Sequence, residues 1–125
     1  MNSTEAEARV RIRQTYTLSN LWARCSVHPG GTTTVRCRDN GANGNQVLSV
    51  TGTGVLEDTT NTDTLTTAEY LSTSFLGSAS GTTTFVAVRY LLAHATDNRP
   101  ILINGPTQGR NLDFGITRYL AVGGA

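Results

Sequence analysis

The sequence predicts an all-β protein, an antiparallel β-sandwich or jelly roll of about seven to eight short strands. Three observations carry that prediction. Apolar and polar residues alternate with period two in segment after segment, which places one side of each strand against a core. Clusters of Gly, Pro, Asn and Asp punctuate the chain at the spacing of tight turns. The composition, with 13 glycines, abundant Thr and only 6% aromatic residues, suits pleated surfaces and turns. At 125 residues the chain is one domain by size.

Ala8, Val10, Ile12 and Gln14 alternate with Arg9, Arg11 and Arg13 to give a first strand. Its three guanidinium groups form a solvated face or an electrostatic contact with an acidic partner. The segment from Thr17 to Gly44 then reads as a hairpin around a Pro-Gly-Gly turn. Leu21, Ala23, Cys25 and Val27 on one arm, and Val35 and Cys37 on the other, are its inward positions, alternating with Trp22, Arg24, Arg36 and Arg38. A turn centred near Gly31 sets Cys25 opposite Cys37, so a cross-strand disulfide and two buried thiols are both open. Bridging is expected if assembly occurs outside the cell. Neither cysteine has the short-spaced His or Cys partners that zinc requires.

The Asn-Gly-rich stretch 39–45 reads as a loop, Gln46 to Thr53 as a strand with Leu48 and Val50 buried, and EDTTNTD as an acidic turn. Glu57, Asp58, Asn61 and Asp63 in that turn lack the ordered spacing of a calcium loop. Thr64 to Leu76 reads as one strand, because Thr and Ser density and the alternation Leu71, Thr73, Phe75 outweigh the helix formers Ala68, Glu69 and Leu71. After the turn GSASG, Thr82 to Ala93 is the most apolar strand, with Phe85, Ala87 and Arg89 on one face and Val86, Val88, Tyr90 and Leu92 on the other. Such a strand is central to a core or covered by a neighbouring subunit. Ile101 to Asn104 follows, and a last strand from Leu112 to Val122 sets Leu112, Phe114, Ile116 and Leu120 in register.

The segment TLSNLWARCSVHPGGTTTVRCRDNGANGNQVLSVTGTGVLEDTTNTDTL, with TAEYLSTSF and TTTFVAVRY after it, resembles the Thr- and Gly-rich β-sandwich modules of bacteriophage structural proteins. The likeness covers about residues 3–93. It implies a homo-oligomer, a trimer or a head-to-tail polymer, on a virion surface as capsid decoration or tail appendage, with a major capsid or tail protein as a further partner. Subunit contacts are then expected at Trp22, Phe85, Val86, Val88, Tyr90, Leu112, Phe114, Ile116, Tyr119 and Leu120. The chain departs from the module in its ends: ITRYLAVGGA closes it and STEAEARV opens it, as if rotated by one strand. The last strand therefore either folds beside the first within one subunit or inserts into a neighbour's sheet, which repeated head to tail makes a filament outside the cell.

The chemistry-bearing residues are few. All ten basic residues are Arg, which removes the phosphate-loop lysine and lysine catalysis, and a net charge of +1 gives no sign of a nucleic-acid partner. No apolar segment follows Met1, so no secretory signal or membrane span is expected, and the Asn2-Ser3-Thr4 sequon reads as chance. His28 and His94 have no nucleophile placed beside them, and GSASG puts Ala79 where an esterase elbow needs Ser. The expectation is a non-enzymatic structural subunit without cofactor or metal. The alternative of another class is a glycan- or receptor-binding module using Trp22, Tyr70 or Tyr90 as stacking faces.

Overall fold

A computed structural model describes residues 4–7, 9–94, 97–104, 110–111 and 117–120, with side chains placed for 4–6 and 9–93. Among the described residues, a 3-10 turn, Glu5–Glu7, precedes ten strands: β1 (Val10–Arg11), β2 (Tyr16–Val27), β3 (Thr33–Asp39), β4 (Ala42–Val50), β5 (Gly54–Leu65), β6 (Tyr70–Gly77), β7 (Thr82–His94), β8 (Asp97–Asn104), β9 (Arg110–Asn111) and β10 (Thr117–Leu120). Every pairing is antiparallel. One sheet runs β1-β6-β3-β4, with β10 also on β6. The other runs β5-β2-β7-β8, with β9 also on β7. The two layers make the predicted all-β sandwich.

Leu18, Leu21, Ala23, Cys25, Leu65, Phe85, Val88 and Tyr90 of one sheet meet Val35, Cys37, Leu48, Val50, Leu71 and Phe75 of the other, all buried. Phe75 and Phe85 pack across the layers with ring centroids 5.3 Å apart, tilted by 52°. Thr73 and Tyr90 share a buried hydrogen bond between hydroxyls of 2.9 Å. The apolar strand 82–93 is central, paired to β2 on one side and to β8 on the other, with β9 pairing at Thr82 and Thr83. Its strict alternation is broken at Val86: Arg24 pairs with Ala87 but Cys25 with Phe85, so the extra residue turns both Phe85 and Val88 inward.

The expected β2–β3 hairpin does not form. β2 and β3 belong to opposite sheets, and residues 28–32 make an arch between layers. The expected inward residues are all buried except Val27, which is exposed, but their partners differ: Cys25 pairs with Gly54 and Phe85, Cys37 with Thr73. Period two identifies which side of a strand is buried and is silent on whether the next strand joins the same sheet. The arch is locked to the turn between β6 and β7. Thr32 N–H donates to Ser78 Oγ at 2.7 Å, Ser78 N–H donates to Thr32 O at 2.9 Å, and Gly81, at φ +143°, lies where any Cβ would collide with Pro29.

The true hairpin is β3–β4. Asn40 (φ 49°) and Gly41 (φ 86°) form a two-residue turn flanked by the pair Asp39 and Ala42, so the expected loop 39–45 is mostly strand. The acidic segment 57–63 is likewise strand within β5, not a turn. Thr64 to Leu76 is two strands rather than one, split at residues 66–69, where Ala68 takes φ 78° and Glu69 accepts from Thr66 N–H at 2.6 Å. The first strand shrinks to Val10–Arg11, because Ile12 N–H and O turn to Glu69 O and Ala68 N–H of that loop.

Candidate functional site

The two flanks of the sandwich are built differently. On the first, β4 ends one sheet and β5 ends the other, and the gap between them is bridged by side chains. Asp63 accepts from Asn45 N–H (2.6 Å), Gln46 N–H (3.0 Å) and Gln46 Nε2 (3.2 Å). Asp58 accepts from Val47 N–H at 3.0 Å, and from Thr60 N–H, Asn61 N–H and Asn61 Nδ2 of its own strand. Consecutive outward amides of β4, the groups an edge strand offers to another chain, are thus consumed internally. Burial pushes the Asp58 carboxyl up, but the bonds from Asn61, Val47 and Thr60 outweigh it and hold the group below the usual carboxylate range.

Gln46 sits behind this seam with no exposed surface. It crosses from one sheet to the other, accepting from Leu21 N–H at 2.9 Å and donating to Leu18 O at 3.1 Å. Those two backbone groups are freed because β2 bulges at Asn20 (φ 53°), where the register with β5 jumps from Ser19/Thr62 to Leu21/Asp58. An amide side chain supplies the donor and the acceptor that the bulge removes from the ladder.

The opposite flank is made of main chain from both ends of the sequence. Along the outer edge of β6, β1 pairs at Tyr70 and Leu71, and β10 pairs from Thr73 to Leu76. Tyr119 and Leu120 lie opposite Ser74 and Thr73. Leu112, Phe114 and Ile116 fall outside the described residues. Glu5 anchors the N-terminal part, receiving Arg38 Nε (3.1 Å) and Nη2 (2.9 Å) and the Ser72 hydroxyl (2.6 Å). Burial raises the Glu5 carboxyl, and the Arg38 and Ser72 bonds more than offset this.

Of the expected contact residues, Phe85, Val88 and Tyr90 are interior and Val86 is exposed. Trp22 is half-buried on the outer face, with the Arg89 guanidinium 4.2 Å from its ring centroid. Arg9 covers Tyr70 in the same way at 4.0 Å, while Arg11 and Arg13 are exposed. The stacking faces considered for sugar are therefore altered: Tyr90 is buried, and one face each of Trp22 and Tyr70 carries an arginine. Cys25 and Cys37 are free thiols, and the disulfide expectation is corrected. They hang from opposite layers, Cys25 donating to Val27 O at 3.2 Å and Cys37 buried near Tyr90 and Asp63. Burial pushes both thiols up. The residues considered for calcium do not converge, since Glu57 faces outward onto Asn20 while Asp58 and Asp63 turn inward to backbone amides. Among the described residues no group of three His, Cys, Asp or Glu is arranged to hold a metal, and no helix is long and apolar enough to cross a membrane.

The seam was missed at the sequence level because Asp58 and Asp63 look like solvated turn residues. The available signal was the pair Gln46 and Asp63 within otherwise alternating strands, each at a position where the pattern calls for an apolar side chain.

Comparison of the chain with family models, curated proteins and solved structures returned no match.

Proposed function

We propose that the chain is a non-enzymatic structural subunit of an assembled virion surface, a capsid decoration or tail appendage, working through β-sheet contacts between copies. The observation that carries this reading is the asymmetry of the flanks. The β4/β5 flank is closed by buried carboxylates, whereas the β6 edge is covered by two short terminal segments. A β10 from a second copy satisfies the Thr73 to Leu76 edge with the same hydrogen bonds, so exchange costs little backbone pairing. The phage-type resemblance of the β2–β7 region supplies the virion setting. A filament assembled by donation of β10 outside the cell uses the same edge and differs only in whether the exchange closes.

Sedimentation of concentrated protein tests this reading, together with electron microscopy. Discrete trimers are expected for decoration and fibres of uniform width for donation. Arg118→Pro, which removes one amide from the β10 ladder, is expected to weaken either assembly, as is removal of residues 112–125. A folded monomer at high concentration, or assembly unchanged in both variants, overturns the proposal.

A further inference from the structure

The bulge in β2 has a counterpart on the outside of the sandwich. A groove of about 360 Å³ opens there, lined by Asn20, Glu57, Arg89, Tyr90 and Leu91. It spans three adjacent strands from the edge of the sheet inward, β5, β2 and β7, where register jumps between Ser19 and Leu21 against β5 and between Ser19 and Trp22 against β7. A regular pleated face would have no such hollow. The hollow is held open from behind, because Gln46 fixes the Leu18 O and Leu21 N–H that flank Asn20. Asn20 itself is held at φ 53°, a conformation Asn tolerates better than most residues. Bulges that re-aim side chains, supported by a buried second layer of hydrogen bonds, are typical of built binding sites.

The polar groups in the groove are complementary in kind. Arg89 is exposed and lines the groove, and its guanidinium, a fork of N–H donors, is held over the neighbouring Trp22 ring. Asn20 Nδ2 donates to Glu57 Oε1 at 2.9 Å, which leaves the amide oxygen of Asn20 and the second carboxylate oxygen of Glu57 as acceptors at the rim. Leu91 gives the wall an apolar surface. We propose that this groove binds a carboxylated saccharide, a uronic or sialic acid unit. The sugar carboxylate pairs with the Arg89 guanidinium, neighbouring ring hydroxyls donate to Glu57 and Asn20, and the apolar ring face rests on Leu91. The volume accommodates one or two sugar rings. Glu57 selects against an acidic peptide, since a second carboxylate there meets a negative charge, whereas a hydroxyl donates to it.

The test is titration of the intact chain with sialyllactose, a glucuronic-acid disaccharide, lactose and an acidic tetrapeptide, followed by amide chemical-shift changes. At least one acidic sugar is expected to bind about tenfold more tightly than lactose and the tetrapeptide, with shifts confined to residues around Asn20, Glu57 and Arg89. Arg89→Gln is expected to abolish that preference while leaving the fold intact, and Thr84→Ala, remote from the groove, to preserve it. No binding by either acidic sugar, equal binding of lactose, tighter binding of the tetrapeptide, shifts elsewhere, or a preference that survives Arg89→Gln each overturns the proposal.

Discussion

Replacing Gln46 by Leu isolates the contribution of the buried seam. The two side chains have similar volume, so Gln46→Leu opens little cavity and its cost reports hydrogen bonding. Three bonds disappear: Leu21 N–H loses its acceptor, Leu18 O loses its donor, and one Asp63 oxygen loses a partner. Leu21 and Leu18 are 0% and 1% exposed, so water does not replace Gln46 there. An orphaned buried backbone group costs about 1–3 kcal/mol, and two of them plus the weakened Asp63 give about 3–5 kcal/mol. Against a total stability of about 5–15 kcal/mol, that is a large fraction, and it lowers Tm by about 10–20 °C in a domain of this size. Chemical denaturation with an unchanged m-value measures the loss, and hydrogen exchange at the Leu21 amide locates it. A cost under about 1 kcal/mol, or unchanged protection of that amide, refutes the account of Gln46 as the group that completes the bulge.

Four further outcomes follow from the same structure. Asp58 has a folded pKa below its ordinary value of 3.8, so its contribution is complete above the unfolded carboxylate pKa and drains away as pH falls through the depressed folded value. Asp58→Asn is expected to flatten the acid limb of the stability profile below about pH 4, as read by thermal melts across pH. Asp39 behaves oppositely: burial, then Glu69 and Asp63, raise its pKa, and its Oδ1 has no partner among the described residues. Asp39→Asn is therefore expected to raise Tm at pH 7 and to have little effect at pH 3. Cys25 and Cys37 are expected to resist alkylation in the folded protein and to react fully in denaturant, with a native mass two hydrogens above the bridged form in the absence of reductant. Gly81→Ala, which forces a Cβ into Pro29 at a positive φ, is expected to destabilise by about 2–3 kcal/mol.

The sequence carried the sandwich because alternation survives in single strands: Leu21, Ala23, Cys25, Val35, Cys37, Leu48 and Val50 were all assigned to the core and are all buried. What alternation lacks is information about pairing. Residues 28–32 have turn chemistry that serves an arch between layers as well as a hairpin within one, and the choice depends on Ser78 and Gly81, 46 and 52 positions from their partners Thr32 and Pro29. The Asn40-Gly41 pair, by contrast, is a strong local hairpin signal that was absorbed into a longer loop. The bulges at Asn20 and Val86 were illegible for another reason. Each depends on a partner across the sheet or across the core, and a shift of one residue leaves composition unchanged.

The seam and the groove are two sides of one arrangement. A β-sandwich with two open flanks presents several edges, and nothing in pleated geometry tells a second copy which to join. Filling the β4/β5 flank with Asp58, Asp63 and Gln46 removes one set of edges at the cost of burying two carboxylates and an amide, a cost offset only because nearly every polar atom there is bonded. The same Gln46 stabilises the β2 bulge, and the bulge hollows the outer face around Asn20. Loss of Gln46 is therefore expected to loosen both the closed flank and the groove, while leaving the pairing of β10 on β6 unaffected. Hydrogen exchange of Gln46→Leu measured at Val47, Leu21 and Phe75 separates these outcomes: faster exchange at the first two with unchanged protection at the third supports the shared origin, and uniform loss at all three refutes it.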